Sequence, residues 1–204
     1  MNVAIVDLNL GNLSSLILRL NYLGVDNLTL TNDPEKIYKA DKILLPGVGN
    51  FAAAHEELSN KSELKGALEQ IFLEKNKYIL AICLGFQLLC ESSDESGIHS
   101  GLGVFKTNIR KFKVASEFKV PHVGFNQVFW DESSWLTKDI KNGGDFYFTH
   151  SYRALVINNK KILTTKYDEE FMSGCVTDTI AGVQFHPELS KKNGIKLINN
   201  FLKA

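Results

Sequence analysis

The sequence predicts an α/β fold in which one mostly parallel sheet is flanked by helices and extended by antiparallel strands. Short apolar runs alternate with helical patterns in the first half of the chain, and runs such as 78–83 are continuously apolar, as in parallel strands buried on both faces. From about Gly103 the pattern changes to short β-rich pieces broken by Gly, Asn and Asp, which predicts antiparallel hairpins. A chain of 204 residues fits one large domain, and we expect residues 1–204 to form it.

The elements can be assigned in order along the chain. The opening residues 2–8 predict a strand, and 11–23 predict a glycine turn and a helix with leucines at helical spacing. Further strands are predicted at 28–31, 42–45 and 78–83, and helices at 51–75 and 84–91. The β-rich pieces lie at 104–112, 123–129, 146–152, 162–166 and 171–175. A strand at 181–185 and an amphipathic helix at 193–202 complete the order.

Charge and composition exclude several classes of protein. Lys and Arg number 23, as do Asp and Glu, so no basic field is present to attract nucleic acid or anionic lipid. No window approaches the roughly 18 to 20 apolar residues of a membrane-spanning helix. The opening segment lacks a basic n-region and predicts a strand, not a signal peptide. Three cysteines without CxxC spacing fit reduced thiols in the cytoplasm.

The strand predicted at 78–83 runs directly into Cys83, Leu84 and Gly85, and a helical pattern follows. This is the layout of a nucleophile elbow, a sharp turn that lifts a side chain clear of the sheet. The turn points the next backbone N–H towards the thiol, which favours thiolate and stabilises an oxyanion nearby. Taken alone, a buried structural cysteine is the commoner fate of such a residue.

A second pattern, VQFHPE at 183–188, lies at the end of the last predicted strand, near the same rim of the sheet. In extended chain, residues two apart project to the same side, so Glu188 can orient the His186 imidazole and stabilise its charged form. An isolated His-Pro-Glu is more often a surface histidine with a solvated carboxylate. Because the elbow and this pair fall on strand ends of one sheet, together they favour acyl transfer with Cys83 as nucleophile.

Several segments also carry a family resemblance. AICLGFQLL, FYFTHSY, GVQFHPE and the opening DLNLGNLSS resemble class I, triad-type glutamine amidotransferases. PGVGNFAAA and VPHVGFNQV narrow the resemblance to the HisH family, the glutaminase subunits of imidazole glycerol phosphate synthase. The resemblance runs from Asn2 to Leu202 with the motifs in the family's order.

The resemblance implies a catalytic triad of Cys83, His186 and Glu188. Such a triad hydrolyses L-glutamine to glutamate and ammonia through a thioester, and the family needs neither a metal nor another cofactor for this step.

The resemblance further implies an oxyanion hole and a substrate-binding set. Flanking glycines let the 47–49 peptide turn an N–H inwards. Without the resemblance, the 47–49 segment would be interpreted as a tight turn after a strand. Gln87 would be interpreted as an amide on a helix surface, and residues 150–152 as part of a pair of strands. The implied residues are Val48, Gly49 and Leu84 for the oxyanion, and Gln87, His150, Ser151 and Tyr152 for the amino-acid end of glutamine.

A partner is implied as well. In the main interpretation, a (β/α)8 cyclase subunit of the HisF type forms a heterodimer with the glutaminase and uses the ammonia to form imidazole glycerol phosphate and AICAR in histidine biosynthesis. The alternative is a paralogue that supplies a surface-sugar amidotransferase. A non-catalytic regulatory subunit fits the intact Cys83, His186 and Glu188 poorly. A cysteine hydrolase acting on peptides or γ-glutamyl amides is disfavoured by Gln87 and the THSY segment.

Four departures from the family pattern stand out. Ala81 replaces the usual elbow Gly, and Leu8-Asn9 replaces Tyr-Gly in the opening motif. Phe125 replaces a frequent Trp, and Leu189 replaces a Lys or Arg. The last two lie in segments that face the partner in the family, so they bear on the partner and not on the chemistry.

The remaining cysteines and histidines form no recognised motif. Cys90, expected on the same helix as Cys83, and Cys175, in a strand, are interpreted as core residues. His55 and His99 are expected to be exposed, and a zinc site built from these residues would lack any known ligand spacing. His122 corresponds to a family segment near the partner interface.

Overall fold

Parallel strands from the first half of the chain form one side of a 13-stranded sheet in the computed structural model, which describes residues 1–204. The strands are β1 (Asn2–Val6), β2 (Asn27–Thr31), β3 (Lys42–Gly47), β4 (Tyr78–Cys83), β5 (Cys90–Ser93), β6 (His99–Ser100), β7 (Phe105–Lys111), β8 (His122–Trp130), β9 (Gly144–His150), β10 (Tyr152–Ala154), β11 (Ile162–Tyr167), β12 (Glu169–Val176) and β13 (Ile180–Val183). The helices are α1 (Ser14–Tyr22), α2 (Pro34–Lys39), α3 (Phe51–Asn60), α4 (Ser62–Glu74), α5 (Leu84–Leu88) and α6 (Lys191–Lys203), with a 3-10 turn at Pro187–Leu189.

One side of the sheet is parallel and the other is mostly antiparallel. Its main order is β2-β1-β3-β4-β13-β12-β10-β7-β5-β6, and the first five strands are paired in parallel. β12 runs antiparallel to β13 and to β10. The β8–β9 hairpin joins the sheet through β11. The predicted fold class, a mostly parallel sheet with additional antiparallel strands, is confirmed.

Two hydrophobic cores cover the two faces of the parallel strands, because successive strand residues project to opposite sides. On one face, Ala4 and Val6 of β1 lie in a core with buried residues of α2, α3 and α4. On the other face, Val3 and Ile5 lie with buried residues of α1 and α6. Burial on both faces explains why these strands are apolar throughout.

The register of the central strands brings three strand ends together. Gly47 at the end of β3 pairs with Cys83 at the end of β4, and Ile82 pairs with Val183 at the end of β13. The carboxyl ends of parallel strands form the rim where sites are built in such sheets. The chain that leaves β13 therefore starts beside Cys83.

Several predicted elements differ from the structure, among them the strand expected at 146–152, which is divided between β9 and β10 at Ser151. The helix expected at 51–75 is two helices, because Lys61 has non-helical backbone angles (φ −107°, ψ 63°). The helix expected at 84–91 ends at Leu88, and Cys90 begins β5, which pairs in parallel with β7. The strand expected at 181–185 comprises residues 180–183. A short apolar segment such as 84–91 fits a helix or a strand equally well by its pattern. Pairing with other strands of the sheet decides between the two.

No helix in the structure combines the length and the apolar character that a bilayer crossing requires.

Candidate active site

Cys83 lies at a sharp turn between β4 and α5. Its backbone adopts φ 54° and ψ −107°, a strained left-handed region for a residue with a side chain. The turn is tight enough that a Cβ added to Gly85 would lie 1.7 Å from the Leu45 carbonyl oxygen, so only glycine fits there. The predicted elbow is thus present, with Cys83 7% exposed.

His186 and Glu188 meet as expected. Nδ1 of His186 lies 2.8 Å from Oε1 of Glu188. The His186 N–H donates to the Tyr147 carbonyl of β9 at 2.8 Å, and Arg19 of α1 donates to the Glu188 carbonyl at 3.3 Å. These backbone contacts fix the segment after β13 from two sides, so the carboxylate is held against the imidazole.

The electrostatic environment favours the charged form of the His186 ring. Burial by itself lowers the pKa of this imidazole, but the adjacent Cys83 and Glu188 side chains outweigh burial and raise the pKa. Nε2 of His186 is buried and makes no hydrogen bond within the chain. An imidazolium beside a thiol is the arrangement that sustains a reactive thiolate.

The 47–49 segment follows β3 at the rim next to the elbow. Gly49 has φ +129°, a conformation that side chains disfavour, and the Val48 side chain is exposed. Neither the Val48 nor the Gly49 N–H makes an intramolecular hydrogen bond. Leu84, the first residue of α5, is buried and directly follows Cys83. The rim thus brings the expected backbone donors to strand ends that pair with each other.

Gln87 is not the helix-surface amide that the sequence pattern alone suggests. It is buried, and its Nε2 donates to the Tyr152 carbonyl at 3.2 Å and to Oε1 of Gln184 at 2.9 Å. Nε2 of Gln184 in turn lies 3.6 Å from the sulfur of Cys83. Two buried amides therefore connect the backbone at Tyr152 to the thiol.

The 150–152 segment is fixed by several bonds. The Ser151 carbonyl accepts from the Phe112 N–H at 3.0 Å, and Nδ1 of His150 lies 2.8 Å from the Tyr152 carbonyl oxygen. Burial lowers the pKa of His150 to about 3, so this ring is neutral near pH 7. His122 contacts it, with Nδ1 3.0 Å from Nε2 of His150.

Gln184 is the residue that the sequence analysis did not single out. It lies in the GVQFHPE segment, where attention went to His186 and Glu188, yet its side chain is fully buried and contacts Cys83. A polar residue between apolar neighbours at the end of a buried strand is the signal that could have identified it.

The other candidates lie apart from Cys83. Cys90 and Cys175 are buried in the core, as predicted. His55 and His99 are half-buried and pack against each other at 5.3 Å between ring centroids. The expectation that these two histidines are exposed was therefore wrong, because α3 and β6 bring their rings together.

Comparison with known proteins extends over nearly the whole chain. The glutamine amidotransferase class-I family model matches residues 4–204. The imidazole glycerol phosphate synthase subunit HisH 2 of Methanococcus maripaludis is 41% identical over 202 residues, which is 98% of each chain. The subunit HisH of Pyrococcus furiosus is 43% identical over 204 residues, covering 98% of this chain and 97% of its own.

The fold has solved counterparts too. A crystal structure of a glutamine amidotransferase matches with a TM-score of 0.75 at 13% identity, covering 100% of this chain and 98% of the other. At that identity the likeness concerns the fold alone. Because the family model and the relatives match from end to end, the chain belongs to the class-I glutamine amidotransferases and, within them, to the HisH family.

Proposed function

We propose that the chain is the glutaminase subunit of an imidazole glycerol phosphate synthase, which hydrolyses L-glutamine to glutamate and supplies the ammonia for histidine biosynthesis. The observation that carries this proposal is the Cys83 thiol on a strained elbow, beside a His186 ring paired with Glu188 at 2.8 Å. Relatives between 40% and 43% identical over the full chain bear that subunit's name, which supports the same function.

In the proposed reaction, Cys83 is the nucleophile. Its thiolate attacks the carboxamide carbon, a C–S bond forms, and the carbonyl electron pair moves to oxygen. When the C–N bond breaks, the His186 imidazolium gives its proton to the departing ammonia. The neutral ring then takes a proton from water, whose oxygen attacks the thioester and releases glutamate and the thiolate. Glu188 orients the ring and stabilises its charged form.

The oxyanion formed in both steps requires backbone donors. We assign these to Leu84 and to the Val48–Gly49 peptide, whose N–H groups have no intramolecular acceptor. One such donor contributes roughly 2.7 to 4 kcal/mol to the transition state. Because Gly49 carries no side chain, the peptide before it can rotate at low cost, which makes this segment a candidate gate.

We assign the amino-acid end of glutamine to Gln87 and the backbone of His150, Ser151 and Tyr152. Both hydrogens of the Gln87 amide are used by Tyr152 and Gln184, so its Oε1 is left as an acceptor for the α-ammonium group. No metal or other cofactor has a role in this scheme.

The proposed partner is a (β/α)8 cyclase subunit of the HisF type, with which the chain forms a cytoplasmic heterodimer. Residues 1–204 act in it as one type 1 glutamine amidotransferase domain. The names of the relatives, which are those of synthase subunits, support a partner. The cyclase consumes the ammonia to form imidazole glycerol phosphate and AICAR.

The proposal is tested with the purified chain mixed with a HisF-type cyclase. Wild type should release glutamate from glutamine, and the mixture should form imidazole glycerol phosphate. With Cys83→Ala, glutamine should no longer support product formation, whereas free ammonium at high pH still should. Glutamine-dependent synthesis by Cys83→Ala, or no glutaminase activity in the wild-type complex, would overturn it.

A further inference from the structure

Two buried histidines outside the proposed triad face each other across the β8–β9 hairpin. His122 and His150 are paired in the strand register and are 3% and 7% exposed. Nδ1 of His122 lies 3.0 Å from Nε2 of His150. Buried imidazole nitrogens need partners, and which nitrogen carries the hydrogen follows from those partners.

The inner end of the pair determines the tautomer of His150. Its Nδ1 lies 2.8 Å from the Tyr152 carbonyl oxygen, and a carbonyl can only accept. Nδ1 therefore carries the hydrogen. Burial lowers the pKa of His150 to about 3 and that of His122 to about 4, so each neutral ring has one N–H. Nε2 of His150 must then accept, and Nδ1 of His122 must donate to it.

The contacts of His122 on the side away from His150 agree with this direction of donation. The second nitrogen of His122, Nε2, is left as an acceptor, and Nδ2 of Asn126 lies 3.3 Å from it. Asn126 also donates from Nδ2 to the Lys166 carbonyl at 3.0 Å, and its Oδ1 accepts from the Gln127 N–H at 2.8 Å. These two bonds fix the amide orientation, so a donor faces Nε2. The successive hydrogen bonds therefore run in one direction. Asn126 donates to His122, His122 donates to His150, and His150 donates to the Tyr152 carbonyl.

We propose that His122 is a positioning residue, which holds His150 as its Nδ1–H tautomer and thereby fixes the Tyr152 carbonyl that orients Gln87 in the site. The proposal rests on the proposed glutaminase function. The Tyr152 carbonyl accepts from both His150 and Gln87, so it is the point at which the histidine pair meets the substrate-binding set.

Removal of the His122 donor should release this carbonyl. A buried Nε2 of His150 without a partner costs more free energy than one ordinary hydrogen bond contributes. The His150 ring is therefore expected to turn to find a partner for Nε2, and the bond to Tyr152 is lost. The Gln87 amide then keeps only Oε1 of Gln184 as a fixed acceptor. We therefore expect the affinity for glutamine to fall more than the rate of the chemical step.

The surroundings of His122 offer well-matched variants. Its ring is stacked between Phe148 and Tyr167, at 4.9 Å and 4.0 Å between centroids and 25° to each. His122→Phe keeps this stacking and removes the donor. His122→Asn places an amide nitrogen near the position of Nδ1 and keeps a donor. Tyr167→Phe keeps the ring against His122 and makes no change in the histidine pair.

The first test needs no variant. In the wild-type protein labelled with ¹⁵N-histidine, long-range ¹H–¹⁵N spectra at pH 7 should show His122 and His150 as neutral Nδ1–H tautomers. An Nε2–H tautomer or an imidazolium at either ring would overturn the assignment. This measurement is independent of activity, so it decides the tautomers even if the chain proves not to be a glutaminase.

The second test is kinetic and uses the complex with the cyclase. His122→Phe should raise the KM for glutamine roughly fivefold, about the value of one buried hydrogen bond, with kcat nearly unchanged. His122→Asn should restore KM most of the way, and Tyr167→Phe should leave it as in wild type. An unchanged KM in folded His122→Phe, an equal loss in kcat, or no recovery with Asn would overturn the positioning role. If His122→Phe does not fold, His122→Leu, which also lacks a donor, takes its place: a raised KM for glutamine with kcat nearly unchanged supports the role, and an unchanged KM refutes it.

Discussion

The Nε2 atom of Gln184 lies 3.6 Å from the sulfur of Cys83. The orientation of this amide is fixed, because its Oε1 accepts from Gln87 at 2.9 Å and its nitrogen must therefore face the thiol. Gln184 is fully buried. A buried N–H donor beside a sulfur stabilises negative charge that forms on it, so the segment that leads to His186 also provides a polar contact to Cys83.

Substitution of Gln184 should consequently lower the reactivity of Cys83. Gln184→Glu keeps an acceptor for Gln87 but turns an oxygen towards the sulfur, and we expect kcat at pH 7 to fall at least tenfold, since hydrogen bonds to charged groups contribute about 1.5 to 3 kcal/mol. Gln184→Leu, which removes the donor without adding charge, should lose less. The rate of Cys83 alkylation is the direct measurement, and equal rates in Gln184→Glu and wild type would contradict this role.

Cys83 should be the only cysteine that a glutamine-mimicking electrophile labels stoichiometrically. Cys90 and Cys175 are buried, and burial raises the pKa of both thiols, that of Cys175 to about 11. Mass spectrometry of the labelled chain checks this. Cys175→Ala is the matched control and should label like wild type, whereas modification of Cys90 would remove Cys83 from its assigned role.

His186 and Glu188 should contribute unequally to catalysis. His186→Ala removes the group that moves the proton, while Glu188→Gln leaves an imidazole that is only less well oriented. Glu188→Gln is expected to retain on the order of a hundredfold more kcat than His186→Ala. Steady-state glutaminase assays of both variants with the cyclase measure the difference. Full activity of Glu188→Gln would exclude Glu188 from the triad.

The isolated chain should hydrolyse glutamine poorly and gain activity when the cyclase binds, more so when the cyclase holds its own substrate. Ammonia released into neutral water becomes ammonium, which is no nucleophile, so uncoupled turnover wastes glutamine. A gate at residues 47–49 that removes one oxyanion donor, worth roughly 2.7 to 4 kcal/mol, should change kcat far more than KM. Steady-state glutaminase kinetics of the chain alone, with cyclase, and with cyclase plus a substrate analogue measure this activation. A fully active isolated chain would refute gating.

Stability should fall with acid in part because of His122 and His150. Burial lowers the pKa of both rings in the folded chain from an ordinary 6.5, to about 4 and about 3. Between these values and 6.5 the unfolded chain binds more protons, so stability is lost as pH falls from about 6.5. His186, whose folded pKa is raised, has the opposite sign and loses its contribution as pH rises above 6.5.

Urea unfolding of His122→Phe between pH 7 and pH 5 isolates this effect. The variant lacks one of the two buried rings, so its stability should depend less on pH than that of wild type. Tyr167→Phe, which retains both histidines, should follow the wild-type curve. A pH dependence of His122→Phe as steep as that of wild type would show that His122 is not buried as a neutral ring.

The sequence was sufficient for the features that depend on local pattern. Continuous apolar strands and their alternation with helices predicted the parallel sheet, and the strand ends located Cys83 and His186 on one rim. Elements whose periodicity is ambiguous were not predictable in this way. Residues 84–91 fit a helix by pattern, yet Cys90 pairs with Phe105 in β5 and β7, because backbone pairing between distant segments outweighs local preference.

The sequence by itself therefore determined the family, the elbow and the pairing of His186 with Glu188, since these follow from residue types in characteristic local patterns. Only the tertiary structure decided the polar connections between distant segments. Gln87 and Gln184 are 97 residues apart, and His122 and His150 are 28 apart. Their contacts depend on strand register and on which buried donor finds which acceptor. No local periodicity specifies such a contact; it follows from the free-energy cost of leaving a buried polar group without a partner in the folded chain.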